Sequence, residues 1–233
     1  MGDDRKSLKA RSSNQEISQF LNQVKALAPS KGGGGRLLFA MDATASREGV
    51  WDRAMQVQSE MFLEASRVGS LQIKLAYYRG FMECYSLPWS RNGADLLKKM
   101  TTIRCAAGAT QIGRILKLAI DEQQSGKINA LVFIGDCMEE DCDRLAQLAG
   151  RLGILGIPVF VFQDGFDAIA EKTFREIARL SKGAWCRFDL NSPEQLRDLL
   201  CGVAVYASGG NSALKAFGRN RGETIKKLTR QIS

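Results

Sequence analysis

The sequence predicts an α/β domain, a doubly wound and mostly parallel sheet with helices on both faces and one antiparallel edge strand. Two observations carry that prediction. Short apolar runs rich in β-branched and aromatic residues alternate with stretches of helical periodicity along most of the chain. Two of those runs, Leu37 to Met41 and Leu131 to Gly135, are followed directly by a carboxylate, Asp42 and Asp136, before the next helical stretch.

The elements follow in order. Ser13-Asn14-Gln15-Glu16 reads as a capping box, and Ile17, Phe20, Leu21, Val24 and Leu27 place one apolar face on a helix that stops before Pro29. Residues 30–35 form a glycine linker. These glycines precede the first strand, whereas a dinucleotide-binding loop follows one, so phosphate cradling is disfavoured. A strand over 36–41, a helix over 50–68 and a strand over 72–78 come next. Arg79-Gly80 then turns the chain into an antiparallel edge strand within 81–86. Helices over 93–104 and 111–125 precede strands over 130–135, 158–162 and 185–188, which alternate with helices to about Tyr206. The division expected is 1–35 as helix and linker, 36–207 as the domain and 208–233 as a basic extension.

Composition narrows the function. With 233 residues and 45% hydrophobic content the chain can bury one sizeable core. The absence of histidine removes Ser-His-Asp and Cys-His catalysis. Cys137 and Cys142 have a separation sometimes seen in zinc sites, but there is no second close pair, so structural zinc is disfavoured. The six cysteines are scattered through predicted strands and helices, the pattern of reduced core residues. No stretch is apolar enough to span a bilayer, and the start Met1 to Lys6 lacks both a signal core and the myristoylation pattern; a cytoplasmic location is expected. The net charge of +8 lies outside 36–207, where the charges balance. It comes from Arg5, Lys6, Lys9, Arg11, Lys25 and Lys31 at the front and Lys215, Arg219, Arg221, Lys226, Lys227 and Arg230 at the back. Such tails can contact polyanions nonspecifically, though no aromatic residues interleave to stack on bases.

Asp42-Ala43-Thr44-Ala45-Ser46 delivers a carboxylate and two hydroxyls at the end of a strand, oxygen donors suited to a hard cation such as magnesium. Thr110, at the start of a helix, offers another hydroxyl, and Asp136 a second carboxylate. Each is equally what a helix cap requires. In open α/β sheets, however, sites form beyond the carboxyl ends of strands where strand order reverses, and adjacent central strands would bring Asp42 and Asp136 together.

The three segments in this order resemble the metal-ion-dependent adhesion site of von Willebrand factor A-like domains, in a bacterial-type intracellular member, and the resemblance extends from about Arg36 to about Ala207. It implies that Thr44 and Ser46 bind a metal through their hydroxyls, Thr110 directly or through water, and Asp42 and Asp136 mainly through coordinated waters. Mg2+, or Mn2+ or Ca2+, is the implied ion, and the implied partner is a protein presenting an Asp or Glu to it. Thr44 stands where serine is more usual, Gly108-Ala109-Thr110 where Gly-Gly-Thr is usual, and Cys137 where glycine is common. Arg47, Glu48, Trp51, Trp89, Arg91, Met138 and Glu139 are expected at the rim, although Trp51 also fits the core at helical spacing with Ala54 and Met55. The competing functions are a metal-dependent hydrolase of phosphoester or acyl substrates, with Glu139 or Glu140 as base, and a metal-free scaffold whose hydroxyls only bind neighbouring loops.

Overall fold

The computed structural model describes residues 35–51, 71–188, 201–204 and 206–207. The helix expected over 13–28, the glycine linker apart from Gly35, nearly all of the helix over 50–68 and the basic extension lie outside them.

Six strands form one sheet: β1 (Arg36–Asp42), β2 (Gln72–Arg79), β3 (Glu83–Ser86), β4 (Ala130–Gly135), β5 (Val159–Asp164) and β6 (Ala184–Phe188). Their spatial order is β3-β2-β1-β4-β5-β6. Only β3 is antiparallel, pairing with β2 at the edge. The chain leaves β1 toward β2 on one side and later returns to place β4 on the other, so strand order reverses between β1 and β4. In open α/β sheets the connections at the carboxyl ends part at such a point and leave a crevice. Register puts Ala40 beside Phe133 and Met41 beside Ile134, which brings the two strand ends level.

Four described α-helices cover the sheet: α1 (Gly93–Met100), α2 (Ile112–Glu122), α3 (Cys142–Ile154) and α4 (Ala168–Leu180). Alternate strand residues point to opposite faces. Leu37, Phe39 and Met41 therefore join one core with Leu96, Met100 and the helical residues Val203, Ala204 and Tyr206. Leu38 and Ala40 join the other with Ile115, Leu116, Leu145 and Phe174 from α2, α3 and α4. Every residue of β4 is buried, as expected of a central strand covered on both sides.

Side chains set several helix ends. The Asn92 side chain accepts from the Ala94 and Asp95 N–H groups, Asp141 from Arg144 N–H at 2.8 Å and Asp167 from Ala170 N–H at 2.6 Å, satisfying donors that a first helical turn leaves over. The helix expected over 93–104 stops at Met100, where the hydroxyls of Thr101 and Thr102 bond back to the carbonyls of Lys98 and Lys99. The strand expected over 158–162 runs on to Asp164, because buried Gln163 donates to Asp167 O at 2.9 Å and accepts from Trp185 Nε1 at 3.1 Å. A satisfied amide can occupy a position that apolar patterning does not mark.

Candidate metal centre

Asp42 ends β1, fully buried, and its carboxylate is held from two sides. Oδ1 accepts the Thr44 N–H at 2.8 Å, and Oδ2 accepts the Tyr78 hydroxyl at 2.9 Å. Tyr78 is the register partner of Asp42 on β2, and register partners on parallel strands project to the same face, so the hydroxyl reaches the carboxylate without a bend in either strand. Asp136 directly follows β4. Its Oδ1 is buried and lacks a hydrogen-bond partner. The donor atoms of Asp42, Asp136 and Cys137 all lie within 4.8 Å of one another.

The three hydroxyls belong to two loops. Thr44 Oγ1 and Ser46 Oγ stand 3.1 Å apart, with Thr44 buried and Ser46 exposed at the start of a short 3-10 turn (Ala45–Val50). Buried Thr110 precedes α2. Its N–H donates to Glu139 Oε2, and its Oγ1 accepts the Glu139 N–H, both at 3.1 Å. The loop before Thr110 is tied to the first segment as well, since Ala106 N–H donates to Ala43 O at 3.1 Å and Ala106 forms a parallel bridge with Thr44. The loop bearing Thr110 is thus bonded on one side to the Asp42 segment and on the other to the Asp136 segment. Gly108 is required in it: a Cβ there would stand 2.0 Å from Gly80 O, so a side chain would force this loop off the β2–β3 turn.

Burial pushes the Asp42 carboxyl above its ordinary value, the hydrogen bonds from Thr44 and Tyr78 oppose the rise, and the Asp136 charge adds to it. Tyr78 is driven far up, first by burial and then by the Asp42 charge, and stays a neutral donor. Burial followed by the charges of Asp136, Asp42 and Glu139 pushes the Cys137 thiol up to about 12. Two clustered carboxylates, one with an unsatisfied buried oxygen, are donors of the kind that fit a divalent ion.

The expected rim is largely redrawn. Arg47 is buried, 1% exposed, and its guanidinium pairs with Asp164 at the end of β5. Trp51 is core, its Nε1 donating to Ile103 O at 3.2 Å, and Met138 is buried too. Trp89 and Arg91 lie toward the opposite end of the sheet. The antiparallel β3 carries the chain back, so that Ser90 pairs with Ile73 near the start of β2 and Trp89 bonds Glu122 at the end of α2. Glu48 and Glu139 are exposed. Glu140 accepts the N–H groups of Ile112 and Gly113, which makes it the cap of α2 rather than a positioned base. Sequence reasoning missed Tyr78 and Asp164; Asp164 ends β5 and Tyr78 is the last residue but one of β2, and a position near the carboxyl end of a strand is the one signal that could have singled them out.

No family model matches the chain. Over 106 residues it is 34% identical to an anthranilate phosphoribosyltransferase of Marinobacter nauticus; the match covers 43% of this chain and 31% of that protein, so the chain spans under a third of that relative's length. Solved structures match more fully in shape. The VWA domain of SpRpn10 aligns with 71% of this chain and 93% of its own at a TM-score of 0.57 and 13% identity. A von Willebrand factor type A protein from Catenulispora acidiphila aligns with 75% of this chain and 43% of its own at 0.59 and 16% identity. The pilus adhesin SpaC from Lactobacillus rhamnosus GG aligns with 82% of this chain and 31% of its own at 0.61 and 10% identity. None of the described helices is long and apolar enough to cross a membrane. With its mixed six-stranded sheet, mostly parallel and bearing one antiparallel edge strand, the chain has the fold of von Willebrand factor A domains.

Proposed function

We propose that this chain is a metal-dependent protein-recognition module. In this reading Asp42, Thr44, Ser46, Thr110 and Asp136 hold Mg2+, or Mn2+ or Ca2+, and the site takes an Asp or Glu carboxylate of a partner protein. The observation that carries the reading is the buried, unpartnered Oδ1 of Asp136 in a cluster with Asp42 at the strand-order reversal. A buried carboxylate oxygen left unpaired costs free energy, and a cation offsets that cost. When bound, the ion supplies an electrophilic centre with affinity for an anionic oxygen.

The surrounding residues have distinct tasks. Tyr78 and the Thr44 N–H fix the Asp42 carboxylate, so little side-chain entropy remains to be lost on binding. The Glu139 N–H orients the Thr110 hydroxyl by taking one of its lone pairs. Exposed Ser46 marks the side open to a partner, and exposed Glu48 and Glu139 would disfavour a partner with a dense acidic surface. The free cysteines fit a reducing, cytoplasmic setting, and the proposed recognition unit is 36–207, with the basic tails available for nonspecific polyanion contact.

A metal-free scaffold is the second reading, favoured by the Thr44–Ser46 and Thr110–Glu139 hydrogen bonds, which employ the hydroxyls within the loops. One experiment separates the two. Partners captured on the full chain should be lost with EDTA, recovered with divalent metal and absent on Thr44→Ala/Ser46→Ala protein of unchanged circular dichroism. Capture that survives all three treatments would assign recognition to another surface.

A further inference from the structure

Cys137 brings a sulfur to a site otherwise built from oxygen. It directly follows Asp136, and one donor atom each from Asp42, Asp136 and Cys137 lies within 4.8 Å of the other two, close enough for one ion to share. The thiol is half-buried, and it adjoins the carboxylate whose buried Oδ1 has no hydrogen-bond partner. Oxygen donors alone leave Mg2+ competitive. A thiolate does not suit Mg2+, whereas Zn2+ and Co2+ combine thiolate with carboxylate readily.

Resting on the metal-site reading above, we propose that Cys137 Sγ is itself a ligand of the bound ion and makes the site prefer a thiophilic divalent cation, Zn2+ or Co2+, over Mg2+. Formation of the sulfur–metal bond breaks the S–H bond and releases that proton to solvent, one for each ion bound.

The test uses the full chain with Co2+ as probe. The wild type should develop a sulfur-to-cobalt charge-transfer band that saturates at about one ion per chain. Cys137→Ser should lose the band and weaken Co2+ and Zn2+ binding by at least about tenfold. Its Mg2+ affinity should change by less than about twofold, since the exchanged donor does not suit Mg2+. Cys142→Ser, which alters an exposed thiol, should keep the band. Alkylation of the wild type followed by mass spectrometry provides a reading that needs no variant to fold: Co2+ should protect Cys137 and leave Cys142 reactive. A band that survives Cys137→Ser, or Cys137 alkylated equally fast with and without Co2+, overturns the proposal. Wild type that binds Mg2+ with no sulfur band overturns it while leaving the oxygen-ligated site standing. Wild type that binds neither ion overturns both.

Discussion

The two ends of the sheet treat acids withdrawn from solvent in opposite ways. Near the start of β1, Glu122 is surrounded by donors the chain itself provides: Trp89 Nε1 at 2.7 Å, Lys74 Nζ at 3.0 Å and Arg36 at 3.5 Å, with Arg36 also stacked on the Trp89 ring. Burial alone would raise Glu122, but these partners outweigh it and hold the carboxyl below its usual value. At the carboxyl end, among the described residues, neither Asp42 nor Asp136 has an ion-pair partner. The guanidinium buried there, Arg47, is engaged by Asp164. The difference teaches that this fold completes a structural acid with a resident cation and leaves the acids at the crevice short of one. In the proposed reading an external cation makes good that shortfall.

The comparison can be broken at several points. The largest effect should come from Arg47→Ala, because it removes a fully buried guanidinium together with its ion pair to Asp164, at a cost of roughly 3 kcal/mol in denaturant unfolding. A cost near zero would mean that the Arg47–Asp164 pair does not fasten the crevice loop to β5. Glu122→Ala should cost about 2 kcal/mol, since Lys74 and Arg36 lose a charge-assisted partner.

Asp42→Asn is predicted to do the reverse in metal-free protein. Its amide can still bond both Thr44 and Tyr78 while the buried charge is gone, so stability should hold within about 1 kcal/mol or rise. The pH profiles should separate the two acids in sign. Glu122, lowered in the fold, contributes stability that is present above its unfolded value and lost as pH falls through the folded one. Asp42, raised, contributes stability that is present below its unfolded value and lost as pH rises through the folded one. Unfolding measured in EDTA across the acid range, with Asp42→Asn and Glu122→Gln as references, would show opposite slopes. Slopes of the same sign would remove the contrast between the two ends.

Much of this was legible in the chain, for a physical reason. Strand β4 falls on the expected 130–135 because a central strand buried on both faces is a continuous apolar run, and Asp136 follows where that run stops. The antiparallel turn after Arg79 was announced by Gly80, whose φ of +58° suits glycine. What local pattern could not supply was long-range pairing. Arg47 reads as a surface charge until its partner, 117 residues away, is placed beside it. Tyr78 reads as an ordinary strand aromatic until register sets it against Asp42. Trp89 and Arg91 were expected at the rim as residues of neighbouring loops or helix starts, but β3 reverses direction and returns them toward the other end. Convergence of the site loops likewise depends on bonds such as Thr110 to Glu139, which span 29 residues and leave no periodic trace.

The central claim is that the acids at the crevice await a divalent cation, and thermal unfolding tests it most directly. A ligand that binds only the native state stabilises it by roughly 2.7 kcal/mol at a hundredfold excess over Kd, or about 5–10 °C in Tm for a domain of this size. Mg2+, Mn2+ or Zn2+ should therefore raise the Tm of the wild type by several degrees, and Asp136→Asn, which neutralises the carboxylate with the unpartnered oxygen, should abolish most of that rise. Equal shifts in wild type and Asp136→Asn, or no shift in either with all three ions, would contradict the account.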